Sequence, residues 1–395
     1  MMKMSFALTP FISLLFAMCL FVSQGAFSAQ LSQTTARSAI KAFEYQDNEE
    51  WEKAIAALSS ARVQTDYDKA YINRMLGVMY WQNNQPTHAI TSLQTSVSLE
   101  ALEPDAQNAA KRMLADLYMT REQYGSALPL YYSLTKEKDI KSSDLAQIWL
   151  RIAQANYQQN MNRKALDAIH THLKLGKATV SSLSLKLGAE LRLKKWTSSI
   201  STLKRLLTLE PTKKAWWLQL VSSYQKLDDQ EGMLNTLVLA QRKGISLNQS
   251  EKQLMAQLYA RAGVPEKAAV LLSEINQSPR DKTLLVMEAS YWQQAKEWDK
   301  AISAWKRAAN EEPSHLWIVA QLEIQQGQYR EALETLNHIT EPKRKVDVEL
   351  ARVRAYEKLG DLDAALLHAK RAQEYAPSPQ TKSWIQYLTK KRANH

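Results

Sequence analysis

The feature that most constrains this chain is a spacing. Residues 214–244 begin Lys-Ala-Trp-Trp-Leu-Gln-Leu-Val-Ser-Ser-Tyr, which sets Trp217, Leu220, Val221 and Tyr224 at i, i+3, i+4 and i+7. Those offsets share one face of an α-helix. A second apolar helical pattern follows through Leu237 and Ala240. A helix, a turn and a helix of this size cannot bury an apolar face alone, so the unit demands neighbours of its own kind.

The rest of the chain supplies them. Leu76, Gly77 and Tyr80 precede Ala89 and Leu93; Leu114, Ala115 and Tyr118 precede Ala127 and Tyr131; Trp149, Ile152 and Ala153 precede Ala165 and Ile169. Beyond the template, Leu285, Ala289 and Trp292 precede Ala301 and Trp305, and Val353 and Tyr356 precede Ala365. Units start near residues 35, 70, 108, 146, 180, 214, 249, 282, 313 and 346. Pro211, Pro313 and Pro377 close three of them, because proline cannot continue a helix. The pattern predicts an all-α solenoid over residues 30–377, about ten helix–turn–helix repeats in one continuous superhelix. Residues 378–395 read as a capping helix. Ser378-Pro379 starts it, Trp384, Ile385 and Leu388 form its apolar face, and Lys390, Lys391 and Arg392 suit its C-terminal dipole.

Residues 1–29 read as a secretory signal peptide. Lys3 precedes the apolar run Phe11–Val22, and small residues follow at Gly25, Ala26 and Ser28. The mature chain is therefore expected in a bacterial periplasm, with either Gly25 or Ser28 ending the leader. Cys19, the single cysteine, falls inside that leader, so the mature chain would lack any thiol for disulfide, zinc–thiolate or nucleophilic chemistry.

Little else points to catalysis. His170-Thr171-His172 is the one close histidine pair, and i, i+2 spacing turns two rings to different faces of a helix. Surface polarity is the expectation there, not a metal site. Asp228-Asp229, Glu311-Glu312, Asp361 and Asp363 are expected in solvated turns. No phosphate-binding glycine loop, nucleophile elbow or zinc-protease histidine pair is present. No enzyme, cofactor or metal is expected.

The ten units resemble tetratricopeptide (TPR) repeat proteins. That resemblance implies a right-handed superhelix whose groove takes a partner peptide, with first-helix positions two, five, nine and twelve lining it. In this numbering the candidates are Tyr71, Arg74, Trp81, Arg112, Tyr157, Arg192 and Trp317, of the aromatic and arginine types that anchor interfaces. A register error of one residue would instead put Trp81 or Tyr157 in the core. The Lys/Asn clamp that some members use for C-terminal carboxylates is not evident. The stretch from Tyr67 to Trp81, Tyr-Asp-Lys-Ala-Tyr-Ile-Asn-Arg-Met-Leu-Gly-Val-Met-Tyr-Trp, is similar to periplasmic TPR proteins that accompany TonB–ExbB–ExbD systems of gammaproteobacteria. That implies partners among TonB, ExbB and ExbD homologues and an accessory role in energy transduction.

Charge offers a second surface. Of a formal net charge of +11, most lies in residues 163–214, where twelve Lys/Arg meet three acids. Lys194, Lys195, Lys204, Arg205, Lys213 and Lys214 are the candidate basic face, suited to an acidic partner or an anionic envelope surface. An ordinary solvated face is the plainer reading. An exported protein does not meet nucleic acid, so that partner class is set aside. The expected function is a non-enzymatic interaction scaffold for envelope proteins. A scaffold for outer-membrane or cell-wall assembly, and an enzyme with a site inside the superhelix, stand as alternatives.

Overall fold

The computed structural model describes residues 31–138, 140–275 and 281–393, and the expected leader, Cys19 included, lies outside them. Within each unit, successive helices pair as hairpins. The chain divides into two compact units, Met1–Ser198 and Ser199–His395. In the first lie α1 (Gln33–Asp47) with α2 (Trp51–Ser59), α3 (Asp66–Gln82) with α4 (Pro86–Ser98), and α5 (Pro104–Thr120) with α6 (Tyr124–Leu134). Then come α7 (Ser142–Gln158) with α8 (Asn162–Leu175), and α9 (Val180–Arg192). The boundary falls within α10 (Trp196–Leu209).

The second unit holds α11 (Lys214–Gln225) with α12 (Gln230–Arg242), α13 (Gln249–Arg261) with α14 (Pro265–Ile275), and α15 (Lys282–Gln294) with α16 (Trp298–Glu311). It ends with α17 (Leu316–Gln325) and α18 (Tyr329–Asn337), α19 (Lys345–Leu359) and α20 (Leu362–Tyr375), and the last helix α21 (Pro379–Ala393). Among the described residues there is no strand. Within each unit helices touch the helices next in sequence and few others, so the fold is an all-α series of TPR-type hairpins.

One turn geometry recurs at all ten connections from a first to a second helix. The connection from first to second helix carries one residue with positive φ: Glu49, Asn84, Glu122, Asn160, Lys194, Asp228, Gly263, Lys296, Gly327 and Gly360 in order. The N–H that follows it reaches back to the carbonyl five residues earlier, in the last turn of the first helix. Gln85 N donates to Tyr80 O at 2.8 Å, Gln123 N to Tyr118 O at 2.8 Å, and Gln328 N to Glu323 O at 2.8 Å. This is a Schellman closure, which satisfies carbonyls that a helix end leaves open. Glycine suits the left-handed residue best, yet it occupies only three of the ten sites.

Close packing inside a hairpin depends on small residues. Ala54, Ala89, Ala127, Ala165, Ala268, Ala301, Ala332 and Ala365 recur on the second helices, all fully buried. Opposite Ala89 and Leu93, Gly77 leaves no room for a side chain, since a Cβ there would lie 2.5 Å from Leu93 Cγ. The helix α21 buries Leu388 in a cluster with Val353, Ala365, Leu366 and Ala369. Lys391 Nζ reaches Glu357 at 2.6 Å and Arg392 reaches Asp363 at 2.9 Å, fastening the cap electrostatically.

Three helices start earlier than the periodicity suggests. The units expected at 70, 108 and 146 have first helices from Asp66, Pro104 and Ser142. The extra turn carries little of the apolar period, and other forces hold it. Thr65 Oγ1 accepts from Asp68 N–H, and Asp66 and Asp68 favour the positive end of the helix dipole.

Candidate functional site

The groove candidates of the first unit are engaged with their own fold. Tyr71 is only 2% exposed and belongs to the core, so it presents no surface. Burial first, then the opposing Arg74 guanidinium, leaves its phenol raised to about 12. Arg74 lies 5.5 Å from the Tyr71 ring centroid, and Trp81 packs partly buried against the same core. Arg112 faces Asp144 at 3.7 Å. Arg192 stacks 3.8 Å from the Tyr157 ring centroid and donates to Tyr157 O at 3.0 Å and Asn160 Oδ1 at 3.1 Å. In the second unit, Trp317 packs half-buried beside Ala320 and Leu336 with Arg344 at 5.1 Å. Arg112 and Arg192 thereby link successive helical pairs of the first unit.

The basic residues also divide. Lys194 and Lys195 are exposed in the first unit, and Lys194 is the left-handed residue of its turn. In the second unit Lys204 and Arg205 are exposed, with Lys204 Nζ 5.8 Å from the Tyr224 ring centroid. Lys213 pairs with Glu210 at 3.1 Å and lies over Trp216, while Lys214 pairs with Glu251 at 2.7 Å and donates to Ser246 O. Lys213 and Lys214 therefore have intramolecular partners, and their charge is partly neutralised.

Other titratable groups also serve structure. His172 is buried, not a surface residue as expected, because α7 covers it and Ala146 O takes its Nδ1 proton at 2.7 Å. His170, on the other face, is exposed. Asp229 and Asp361 cap α12 and α20. Asp363 lies inside α20, not in the turn expected for it, because Asp361 already supplies the cap. Glu190, Glu288, Glu323 and Glu349 are buried on first helices, where charge had given no hint of burial. Each finds a cation, Lys186 at 2.8 Å, Arg307 at 2.5 Å, Lys306 at 2.7 Å and Arg352 at 2.6 Å, and Glu349 also has His368 Nδ1 at 2.6 Å. A buried carboxylate without such a partner would cost several kcal/mol. Among the described residues, no group of three or more His, Cys, Asp or Glu could hold a metal ion, and no helix is long and apolar enough to cross a membrane.

Each unit has an open cleft. In the first unit, Gln94 Nε2 donates to Tyr118 Oη at 2.5 Å in a cleft of about 590 Å³ that continues past Ile90 and the turn residues Glu122 to Ser126. In the second, first helices α13 and α15 enclose about 390 Å³. Gln257, Ala260 and Arg261 line one wall and Met287, Tyr291 and Gln294 the other. Each wall is a single helical stripe, at i, i+3, i+4 and at i, i+4, i+7. The sequence search for aromatic and basic groove residues missed this cleft. The signal available was the position-nine Gln257, an amide that neither criterion selects.

No protein-family model matches the chain, and no curated protein matches it. Among solved structures it is similar to a tetratricopeptide repeat protein from Parabacteroides merdae, at 13% identity over 65% of this chain and 99% of that one, TM-score 0.39. The MamA protein matches at 15% identity over 46% of this chain and 95% of its own, TM-score 0.39. The P58(IPK) TPR domain matches at 15% identity over 81% of this chain and 97% of its own, TM-score 0.24.

Proposed function

We propose that this protein is a non-enzymatic interaction scaffold, exported to the periplasm, that serves as an accessory of a TonB-type energy-transduction system. The observation carrying the scaffold role is the α13–α15 cleft. It is a polar and apolar surface between successive first helices, left uncovered by the packing that engages most other candidates. The signal-peptide pattern in residues 1–29 supports export, and the resemblance of the Tyr67–Trp81 stretch supports the TonB assignment. The exposed Lys194, Lys195, Lys204 and Arg205 favour a second reading, assembly on an anionic envelope polymer.

Photocrosslinking in living cells tests the assignment. A photoreactive residue replaces exposed Gln294 in one variant, Lys69 in a second and Lys194 in a third. Adducts with TonB, ExbB or ExbD homologues are the expected result. Adducts to cell-wall polymer, concentrated at Lys194, would transfer the assignment to the second reading. Recovery of the chain in the cytoplasm with its first 29 residues intact would overturn export.

A further inference from the structure

The α13–α15 cleft has a chemistry that names its occupant. We infer that it binds an acidic side chain, Asp or Glu, carried within an extended peptide segment of a partner. The inference deepens the scaffold reading and rests on it.

Four polar side chains converge there without intramolecular work. Among the described residues none pairs by hydrogen bond or ion pair with the Arg261 guanidinium, the Tyr291 hydroxyl, or the Gln257 and Gln294 amides. Arg192, Arg307 and Arg352, by contrast, are held by acceptors of their own fold. Arg261 is exposed and the lining contains no carboxylate, so the cleft carries one uncompensated positive charge.

The geometry suits a carboxylate on a chain that passes through. Arginine offers a planar fork that grips both carboxylate oxygens. The Tyr291 hydroxyl on the facing helix adds a donor. Each glutamine amide both donates and accepts, so Gln257 and Gln294 match the N–H and C=O groups of an extended backbone from opposite walls. Met287 and Ala260 supply an apolar floor for the residues flanking the acid, and methionine adapts to irregular shapes. Amides on both walls fit a segment that continues in both directions. The commitment is therefore to an internal acidic side chain, not to a chain terminus.

A titration of the full chain, labelled with carbon-13 at methionine methyl groups, tests this. The Met287 signal is assigned by its loss in Met287→Leu. The first probe is the blocked peptide acetyl-Ala-Leu-Glu-Leu-Ala-amide, and the second replaces its Glu with Gln. The acidic peptide is expected to shift the Met287 methyl saturably and bind at least tenfold more tightly than the neutral one. Arg261→Gln is expected to level the two, with the Met75 and Met79 signals of the first unit unmoved as a folding check. Equal binding of both peptides, no shift at Met287, or an unchanged preference in Arg261→Gln would each overturn the inference. A third peptide, neutral but with a free C-terminus, settles the carboxylate source, and tighter binding of it than of the acidic one also overturns the inference. Crosslinking at Lys69 and Lys194 reports on the scaffold role elsewhere, so failure here and failure of that role are separable.

Discussion

The Arg192 guanidinium lies 3.8 Å from the centroid of the Tyr157 ring while donating to the carbonyl of that same tyrosine and to Asn160 Oδ1. Arg192, at the end of α9, thus closes over the turn between α7 and α8, where Asn160 is the left-handed residue. Charged hydrogen bonds and cation–π contact at an exposed site each contribute about 0.5–2 kcal/mol. Arg192→Ala is expected to lower the stability of the first unit by about 1–2 kcal/mol by denaturant melting. Arg192→Lys should recover less than half, since an ammonium cannot stack and fork together. An unchanged midpoint in both variants would make Arg192 free for a partner.

Gly77 and Leu93 are related by absence of space. A methyl at Gly77 would meet Leu93 Cγ at 2.5 Å, well inside contact distance. Alanine ordinarily favours a helix over glycine by about 0.5–1 kcal/mol, yet overpacking here should cost about 1–3 kcal/mol and win. Gly77→Ala is therefore expected to destabilise, and Gly77→Leu more so. Adding Leu93→Ala to Gly77→Ala should show coupling, with the pair less harmful than the sum of the singles. Additive losses in that cycle would refute the steric account.

Gly77 also shows what a sequence can carry. Gly77 and Ala89 were legible because small residues at fixed offsets mark where helices approach, and the offsets persist through eight second helices. Helix starts at Asp66, Pro104 and Ser142 were not, because polar first turns have no apolar period and depend on caps and dipole. The buried carboxylates were invisible for a related reason. Glu190 and Glu323 stand where other repeats place an aromatic, and their neutralising partners Lys186 and Lys306 are identified only by folding. Tyr71, a groove candidate by its residue type, lies in the core. Aromatic type alone does not separate an anchor from a packing residue.

The recurring turns give a paired prediction. A left-handed conformation costs an ordinary residue about 1–2 kcal/mol relative to glycine. Glu122 adopts φ 58° and Gly327 φ 75° in equivalent turns. A Cβ at Gly327 would meet nothing within 4 Å, so Gly327→Ala isolates the backbone effect. Glu122→Gly is expected to raise the melting midpoint of the first unit, and Gly327→Ala to lower that of the second by about 1 kcal/mol. Opposite signs support a shared turn strain; like signs would mean that side-chain contacts dominate.

The buried Glu349 sets an acid limit on the second unit. Burial pushes its carboxyl up from the ordinary 4.5, but the hydrogen bond and charge of His368, joined by Arg352, outweigh burial and hold it below that value. A carboxyl depressed in the folded state contributes stability that is present above the unfolded value and is lost as pH falls through the folded one. Glu357 is lowered in the same way by Lys391 and Tyr387, against a smaller opposing effect of burial. Stability of the second unit is therefore expected to hold at neutral pH and to decline progressively below about pH 4.5. Glu349→Gln keeps the shape, removes one titrating group and leaves Arg352 without its carboxylate. That variant should be less stable at pH 7 yet lose less on acidification, as followed by thermal melts between pH 3 and pH 7. Parallel melting curves for the variant and the unaltered protein across that range would show that Glu349 does not set the acid limit.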